Sequence, residues 1–306
     1  MNDLFSTENE TALRQATVIA STDFNVLSFF DGMSCGQLAL QKSGIKATNY
    51  FACEIDKYAS KVAKHNFPNT IELGDVTKVF AKDLPKIDLF IGGSPCQGFS
   101  FAGKQLNFED PRSKLFFEFV RMLNEIRETN PDVLFLLENV KMKKEFQDII
   151  TQHLGVEPVE INSNLVSAQN RKRIYWTNIP IQELPDDKGL FLKDVIEIGT
   201  GKKLSEQTAQ RPRTLRNYRS ENQKAFCMLA TMWKGSQSNG MTVIDDNGLR
   251  NITPIECERL QNVPDNYTNQ VSNSQRYKML GNGWTIDVIS HIFSSIEQKY
   301  SYENAS

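Results

Sequence analysis

No apolar run in the 306-residue chain approaches the ~18–20 residues that a helix needs to cross a bilayer, so a helical membrane span is excluded. Histidine is scarce: His65, His153 and His291 are the only three, and none sits at ligand spacing from a cysteine. The five cysteines, at 35, 53, 96, 227 and 257, are odd in number and unpaired in spacing. That argues against a disulfide framework and against a zinc site, and no metal is expected. The N-terminal stretch from Met1 to Asp23 lacks the apolar core of a secretory signal, which points to a cytoplasmic setting. There is no internal repeat.

A basic excess is also missing, since the formal net charge is −2. Charge is nevertheless uneven. Between Lys202 and Lys224 seven Lys/Arg (202, 203, 211, 213, 216, 219, 224) face two acids, Glu206 and Glu221. Such a cluster suits a phosphate backbone, and on charge alone it suits a solvated surface loop equally well.

What is present is an alternation of short apolar runs with amphipathic stretches. Asn25–Phe30 reads as a buried strand, followed by a Gly-containing turn and a helix near Cys35–Ser43. Asn49–Cys53 is the next strand, and Asp56 caps the helix after it. Ile87–Ile91 and Val133–Leu137 are further strands, the latter apolar throughout and so covered on both faces. Between them, Leu115, Phe116, Phe119, Met122, Leu123 and Ile126 mark one face of a helix over Ser113–Arg127. The pattern predicts an α/β fold with a mostly parallel, Rossmann-like sheet and helices on both faces. From about Asn178 to Leu249 periodicity fades into a small loop-rich region. Helical pattern returns near Asn251–Pro264, and Met279–Phe293 reads as a Gly-containing loop followed by an apolar helix or strand. The expected organisation is an N-terminal extension (1–24), a first part of the main domain (25–177), an inserted region (178–249) and a final part (250–306).

In such sheets ligands gather at the carboxyl ends of the strands. Strand one ends in Phe30-Asp31-Gly32-Met33-Ser34-Cys35-Gly36, where Gly32 and Gly36 permit close backbone approach. Glu54 ends strand two, at the place where this architecture grips ribose hydroxyls, and Asp75 stands where an adenine amino group is read. Together they suggest an adenosine-containing cofactor. Strand four runs into Gly92-Gly93-Ser94-Pro95-Cys96-Gln97-Gly98-Phe99-Ser100. A cysteine after proline in a Gly-rich loop fits a nucleophile better than a core residue, whereas Cys35, Cys53, Cys227 and Cys257 read as buried and inert. Glu138, after the most apolar strand, reads as a partly desolvated general acid or as a helix N-cap. Arg171 and Arg173, two apart, point to one side if their segment is extended.

These pieces resemble, in kind and order, the cytosine-5 DNA methyltransferases. The resemblance runs from about Val26 to Ile292 and rests on FFDGMSCG, SPCQGFS, LLENV, QNRKR, RNITPIECERLQNVP and YKMLGNGWTIDVI. It implies DNA (cytosine-5-)-methyltransferase activity: transfer of a methyl group from S-adenosyl-L-methionine to carbon 5 of a flipped-out cytosine in a short duplex site, leaving S-adenosyl-L-homocysteine. Cys96 would add to carbon 6, Glu138 would meet ring nitrogen 3, and Arg173 with Arg171 would hold the base oxygen and the catalytic loop, Gln97–Arg112. For the cofactor it implies Phe30, Asp31, Gly32, Ser34 and Gly36 around the methionine, Glu54 on the ribose, Ile55 and Val76 flanking the adenine with Asp75 on its amino group, and Pro95, Leu115, Asn282 and Trp284 completing the pocket. Residues 178–249 would be the target recognition region, with Gln97, Ser100, Arg216, Arg219, Trp233 and Lys234 toward DNA. Ser34 replaces the second glycine of the family's first motif. The first motif and GNGW are more like animal de novo enzymes than restriction-system ones, while the compact length fits a phage, prophage or bacterial enzyme. The expected partner is double-stranded DNA, met by a monomer without membrane association; a companion restriction endonuclease is left open. The rivals are a transfer-RNA cytosine-5 methyltransferase, whose Cys-Phe-Thr segment has no equivalent here, an inactive cofactor-binding scaffold, and an unrelated Rossmann-like oxidoreductase, which leaves Cys96 and QNRKR unexplained.

Overall fold

The computed structural model describes residues 24–94, 111–234, 241–245 and 248–303. Strand-forming runs and amphipathic helices alternate as β1 (Asn25–Phe29), α1 (Cys35–Lys42), β2 (Asn49–Cys53), α2 (Lys57–Asn66), β3 (Ile71–Glu72), β4 (Leu89–Gly93), α3 (Pro111–Thr129), β5 (Leu134–Val140), α4 (Lys144–Leu154), β6 (Val159–Asn162) and β7 (Lys172–Thr177). The seven strands form one sheet in the order β3-β2-β1-β4-β5-β7-β6. All neighbours from β3 to β5 pair in parallel, and β7 runs antiparallel to both β5 and β6. The order reverses direction at β1, between β2 and β4, which opens a crevice at the carboxyl ends of these strands.

Period-two alternation assigns side chains to the two faces. Val26, Leu134 and Leu136 enter one core with Leu38, Val62, Met279 and Ile289, while Leu27, Phe29, Phe135 and Leu137 enter the other with Phe90, Phe116 and Phe119. Phe90 and Phe119 stack with centroids 4.2 Å apart, pinning α3 to the sheet. Each such side chain contributes about 1.5–3 kcal/mol on burial. Asp56 caps α2 by accepting from Tyr58 N, as the sequence predicts.

Two strands differ from expectation by their ends. β4 runs on to Gly93 and β5 to Val140, because Gly93 pairs with Glu138 and β7 continues the ladder beyond it. Glu138 is therefore a sheet residue, and Lys143 stands at the N-cap position of α4 without a side-chain capping bond.

Among the described residues of 178–249 the chain is mostly irregular, with short helices at Glu206–Ala209 and Pro212–Arg216 and a strand, β8 (Thr242–Asp245). β8 pairs with β9 (Gly248–Asn251), so this hairpin crosses position 249. Then follow α5 (Pro254–Leu260), α6 (Asn273–Asn282) and α7 (Ile286–Glu303). A reciprocal Thr253–Glu256 capping box with Pro254 behind the cap starts α5. α6 extends through Gly281, where the sequence reads as a loop. α7 packs along α1, and Asp287 takes ion pairs from Lys42 and, at 2.7 Å, Lys188. Among the described residues no helix is long and apolar enough to cross a membrane.

Candidate active site

A cleft of about 360 Å³ opens at the carboxyl ends of β1, β2, β4 and β5 and is closed by the end of α6. That volume lies within the ~300–1,000 Å³ of small-molecule sites. The turn after β1 shapes its floor. Phe30, Gly32 and Ser34 all have positive φ, at 58°, 59° and 67°. The third explains why a glycine suits that position, since a non-Gly residue there costs about 1–2 kcal/mol. Ser34 offsets this by donating its hydroxyl to Asp31 Oδ2 at 2.6 Å and accepting from Gln37 Nε2 at 2.8 Å. Asp31 Oδ1 accepts from Tyr50 Oη at 2.7 Å. Burial pushes the Asp31 carboxyl above its ordinary range, against these hydrogen bonds, which favour its ionised form.

Glu54 is oriented by backbone: its Oε2 accepts from Gly32 N at 2.8 Å, and Oε1 from Ile55 N at 2.8 Å and Asp56 N at 2.7 Å. A carboxylate offers about four acceptor positions, so one remains for a ligand hydroxyl. Asp75 uses Oδ1 to cap the turn at Thr77. Ile55 is 81% exposed at the cleft edge, and Phe30, Val76 and Leu115 supply further apolar lining. Acids beside an apolar slot suit a flat heteroaromatic ring that carries hydroxyls and an amine.

At the other end of the cleft, Glu138 is pinned from two sides. Arg173 Nε meets its Oε1 at 2.8 Å, and Trp284 Nε1 donates to its Oε2 at 3.2 Å. Gly93 makes room for this: a Cβ there would lie 2.9 Å from Trp284 Nε1 and 3.2 Å from Glu138 Oε2. Asn139 donates to the Ser94 hydroxyl at 3.0 Å, which anchors the chain where it leaves β4. Arg171 is buried and works on backbone, donating to Met228 O at 3.0 Å, Gly281 O at 3.0 Å and Gly283 O at 2.8 Å. The two arginines thus share a wall of the cleft but differ in job.

Of the sequence-predicted residues, Phe30, Asp31, Gly32, Glu54, Ile55, Asp75, Val76, Leu115, Glu138, Arg171, Arg173, Asn282 and Trp284 line this one cleft. Ser34 and Gly36 do not: they lie beneath the lining. Gly36 is required by packing, because a Cβ would fall 2.5 Å from Ile91 Cδ1 and 2.6 Å from Tyr50 Oη. Pro95, Cys96, Gln97 and Ser100 lie outside the described residues. Arg216, Arg219, Trp233 and Lys234 sit apart from the cleft on the insertion, with Trp233 half exposed and Arg219 stacked on Phe226. Lining residues that sequence reasoning missed include Gln275 and Lys278. Their i, i+3 spacing on α6 is the signal, and Lys278 pairs with Asp56 at 2.6 Å. Cys35, Cys53 and Cys257 are buried as expected, and burial pushes the first two thiols up to about 12 and the third well above its ordinary value. Cys227 is only half-buried, with Sγ 3.5 Å from Arg171 Nη1 and 3.9 Å from Arg173 Nη2.

The family model for C-5 cytosine-specific DNA methylase matches residues 24–186 and 194–298. The type II methyltransferase M1.ScrFI of Lactococcus lactis subsp. cremoris is 32% identical, over 88% of this chain and 77% of the relative. The type II methyltransferase M.HhaI of Haemophilus parahaemolyticus is 28% identical, over 92% and 97%. Among solved structures, the Entamoeba histolytica methyltransferase EhMeth superposes with a TM-score of 0.76 at 18% identity, over 92% of this chain and 99% of that one, which is a likeness of fold. A cleft assembled at the strand ends with its acid, arginine and tryptophan in contact, and a family match spanning the sheet and the final helices, agree: the chain belongs to the C-5 cytosine-specific DNA methylase family.

Proposed function

We propose that the protein transfers a methyl group from S-adenosyl-L-methionine to carbon 5 of a cytosine turned out of duplex DNA at a short specific site, through a transient bond to Cys96. One observation carries the reading. Glu138, held by Arg173 and Trp284, stands at the end of the cleft from which Gly93 and Ser94 lead to Cys96.

Ile55 and Val76 would flank the cofactor's adenine, with Glu54 on the ribose, Asp75 on the amino group, Phe30 beside the methionine and Leu115 completing the pocket. Bound there, S-adenosyl-L-methionine supplies a methyl group activated by a sulfonium. The protein's own residues do the rest. Cytosine carbon 5 is a poor nucleophile until a thiolate adds at carbon 6. The Cys96 sulfur would make that bond, and Glu138 would share a proton with ring nitrogen 3 as electron density shifts into the ring. Arg173 keeps Glu138 aimed and stands beside it to meet the base oxygen. Loss of the carbon-5 proton and expulsion of the Cys96 thiolate then restore the aromatic ring. None of this is sterically open within a stacked duplex, so the base is flipped out. Asn139 ties the root of the Cys96 loop to β5, and Arg171 ties the cofactor side of the cleft to the insertion.

The test offers label from the cofactor's methyl group to unmethylated plasmid and to transfer RNA. Label in plasmid that vanishes with Cys96→Ser supports the reading, and a 5-fluorocytosine duplex that contains the site should trap a covalent adduct at residue 96. Label in RNA alone, or in neither, overturns it.

A further inference from the structure

The insertion carries one partly buried guanidinium that no hydrogen bond or ion pair among the described residues uses. Arg121, Arg171, Arg173, Arg250, Arg259 and Arg276 all donate to carboxylates or carbonyls. Arg219 does not: its side chain has no hydrogen-bond acceptor among the described residues, and its Nε is buried without a partner. It lies instead over the ring of Phe226, with Cζ 3.4 Å from the centroid. Stacking of this kind holds a guanidinium as a flat, pre-aimed fork.

Arg219 is fixed through its own backbone and Phe226 through the backbone of the residues flanking it. Arg219 N donates to Thr242 O on β8 at 3.0 Å, and Thr242 N returns a bond to Asn217 O at 3.0 Å. On the other side Ala225 N donates to Ala168 O at 2.7 Å, and Asn170 N to Ala225 O at 2.9 Å. Met228 N donates to the buried Gln169 Oε1 at 2.8 Å. Phe226, 38% exposed, is therefore clamped to the segment that leads into Arg171 and Arg173. Its neighbour Cys227 touches both arginines of the cleft wall. Phe226 thus directly precedes in the chain a residue that bears on both arginines of the cleft wall.

We propose that Arg219, held flat by Phe226, is a specificity-determining residue that reads a guanine in the base pair next to the target cytosine. Guanine shows two acceptors, O6 and N7, on its major-groove edge, spaced for an arginine fork, and no other base shows that pair. Pre-alignment on Phe226 lowers the ordering cost of the contact. The inference rests on the DNA-methylating function proposed above.

The experiment incubates the full chain with S-adenosyl-L-methionine and duplexes randomised around a central cytosine, and maps methylated cytosines by bisulfite sequencing. Wild-type protein should favour guanine in an adjacent pair by roughly ten- to hundredfold. Arg219→Ala and Arg219→Lys should both erase that preference and keep preferences at other positions, and Phe226→Ala should weaken it. Lysine keeps the charge and loses the fork, so it separates base reading from phosphate contact. If either Arg219 variant slows all sequences equally with the guanine preference intact, or if wild type shows no adjacent guanine, this inference fails alone. If wild type methylates no duplex, the proposed function fails and takes the inference with it. Thermal unfolding of the two Arg219 variants should stay near wild type, because Arg219 forms no hydrogen bond or ion pair through its side chain among the described residues.

Discussion

Replacing Arg171 by methionine should damage the fold of the site before it damages chemistry. The guanidinium joins three carbonyls from two parts of the chain, Met228 in the insertion and Gly281 and Gly283 at the end of α6. Gly283 O keeps a second donor, Gln261 Nε2 at 3.1 Å, and Met228 O keeps only the weak Cys227 thiol at 3.6 Å, so the substitution chiefly strips the Met228 and Gly281 carbonyls. A buried acceptor left without a partner costs about 1–3 kcal/mol, or about 2–6 kcal/mol for two. Unfolding entropy near ~2.1 cal/mol/K per residue gives about 0.64 kcal/mol/K for 306 residues. The midpoint should therefore fall by roughly 3–9 °C. Methionine fills much of the volume and carries no charge, so neither a cavity nor an unpaired ion complicates the reading. Calorimetry measures the midpoint, and titration with S-adenosyl-L-homocysteine measures the cleft, whose affinity should drop as Asn282–Trp284 loosens. An unchanged midpoint with unchanged affinity would refute the claim that Arg171 staples the insertion to the cofactor wall.

On the proposed function the paired Glu138 and Arg173 would act as one unit, so Glu138→Gln and Arg173→Ala should each slow methyl transfer at least about a hundredfold, and the double variant should be little worse than either; multiplied losses would refute the unit. In the native protein iodoacetamide at neutral pH should leave Cys35, Cys53 and Cys257 unmodified, because burial holds their thiols protonated, and mass spectrometry showing alkylated Cys35 would contradict that burial. Asp31 has a folded-state pKa raised by burial, so its contribution to stability is full below the ordinary carboxylate value and is lost as pH rises through the folded value. The melting-temperature advantage of Asp31→Asn over wild type should accordingly grow from acid toward neutral pH, and a pH-independent difference would show that Asp31 ionises without cost.

Local pattern made the sheet and much of the cleft legible. Apolar runs of strand length located β1, β2, β4 and β5, and the acid following each apolar run, Glu54 and Glu138, proved to face the same crevice. What local pattern did not carry was which residues meet across the fold. Gly36 follows a Gly-rich turn and looks ligand-facing, yet its missing side chain serves Tyr50 and Ile91 from two other strands. Arg171 and Arg173 look equivalent two residues apart. Only the approach of Met228 and the Gly281 turn separates a backbone staple from the arginine that pairs with Glu138. Likewise the insertion's basic cluster gives no sign that Arg219 alone would lie flat on Phe226.

The insertion is not an appendage hung on the sheet. A Cβ on Gly281 would lie 2.3 Å from Ala230 N and 2.3 Å from Leu229 C, so backbone from the insertion touches backbone at the end of α6 with no side chain between. Arg171 bridges the same junction, and Cys227 bears on both cleft arginines. On the proposed reading, the surface that would meet DNA and the wall that would hold the cofactor are therefore a single packed body. A displacement of Phe226 or Leu229 on DNA binding must move Gly281 or Arg171 with it, since backbone contact this close leaves no slack to absorb the shift. Cognate duplex should thus tighten cofactor binding and cofactor should tighten cognate duplex by the same factor, as linkage requires. A noncognate duplex, which would leave Arg219 without its guanine, should couple more weakly.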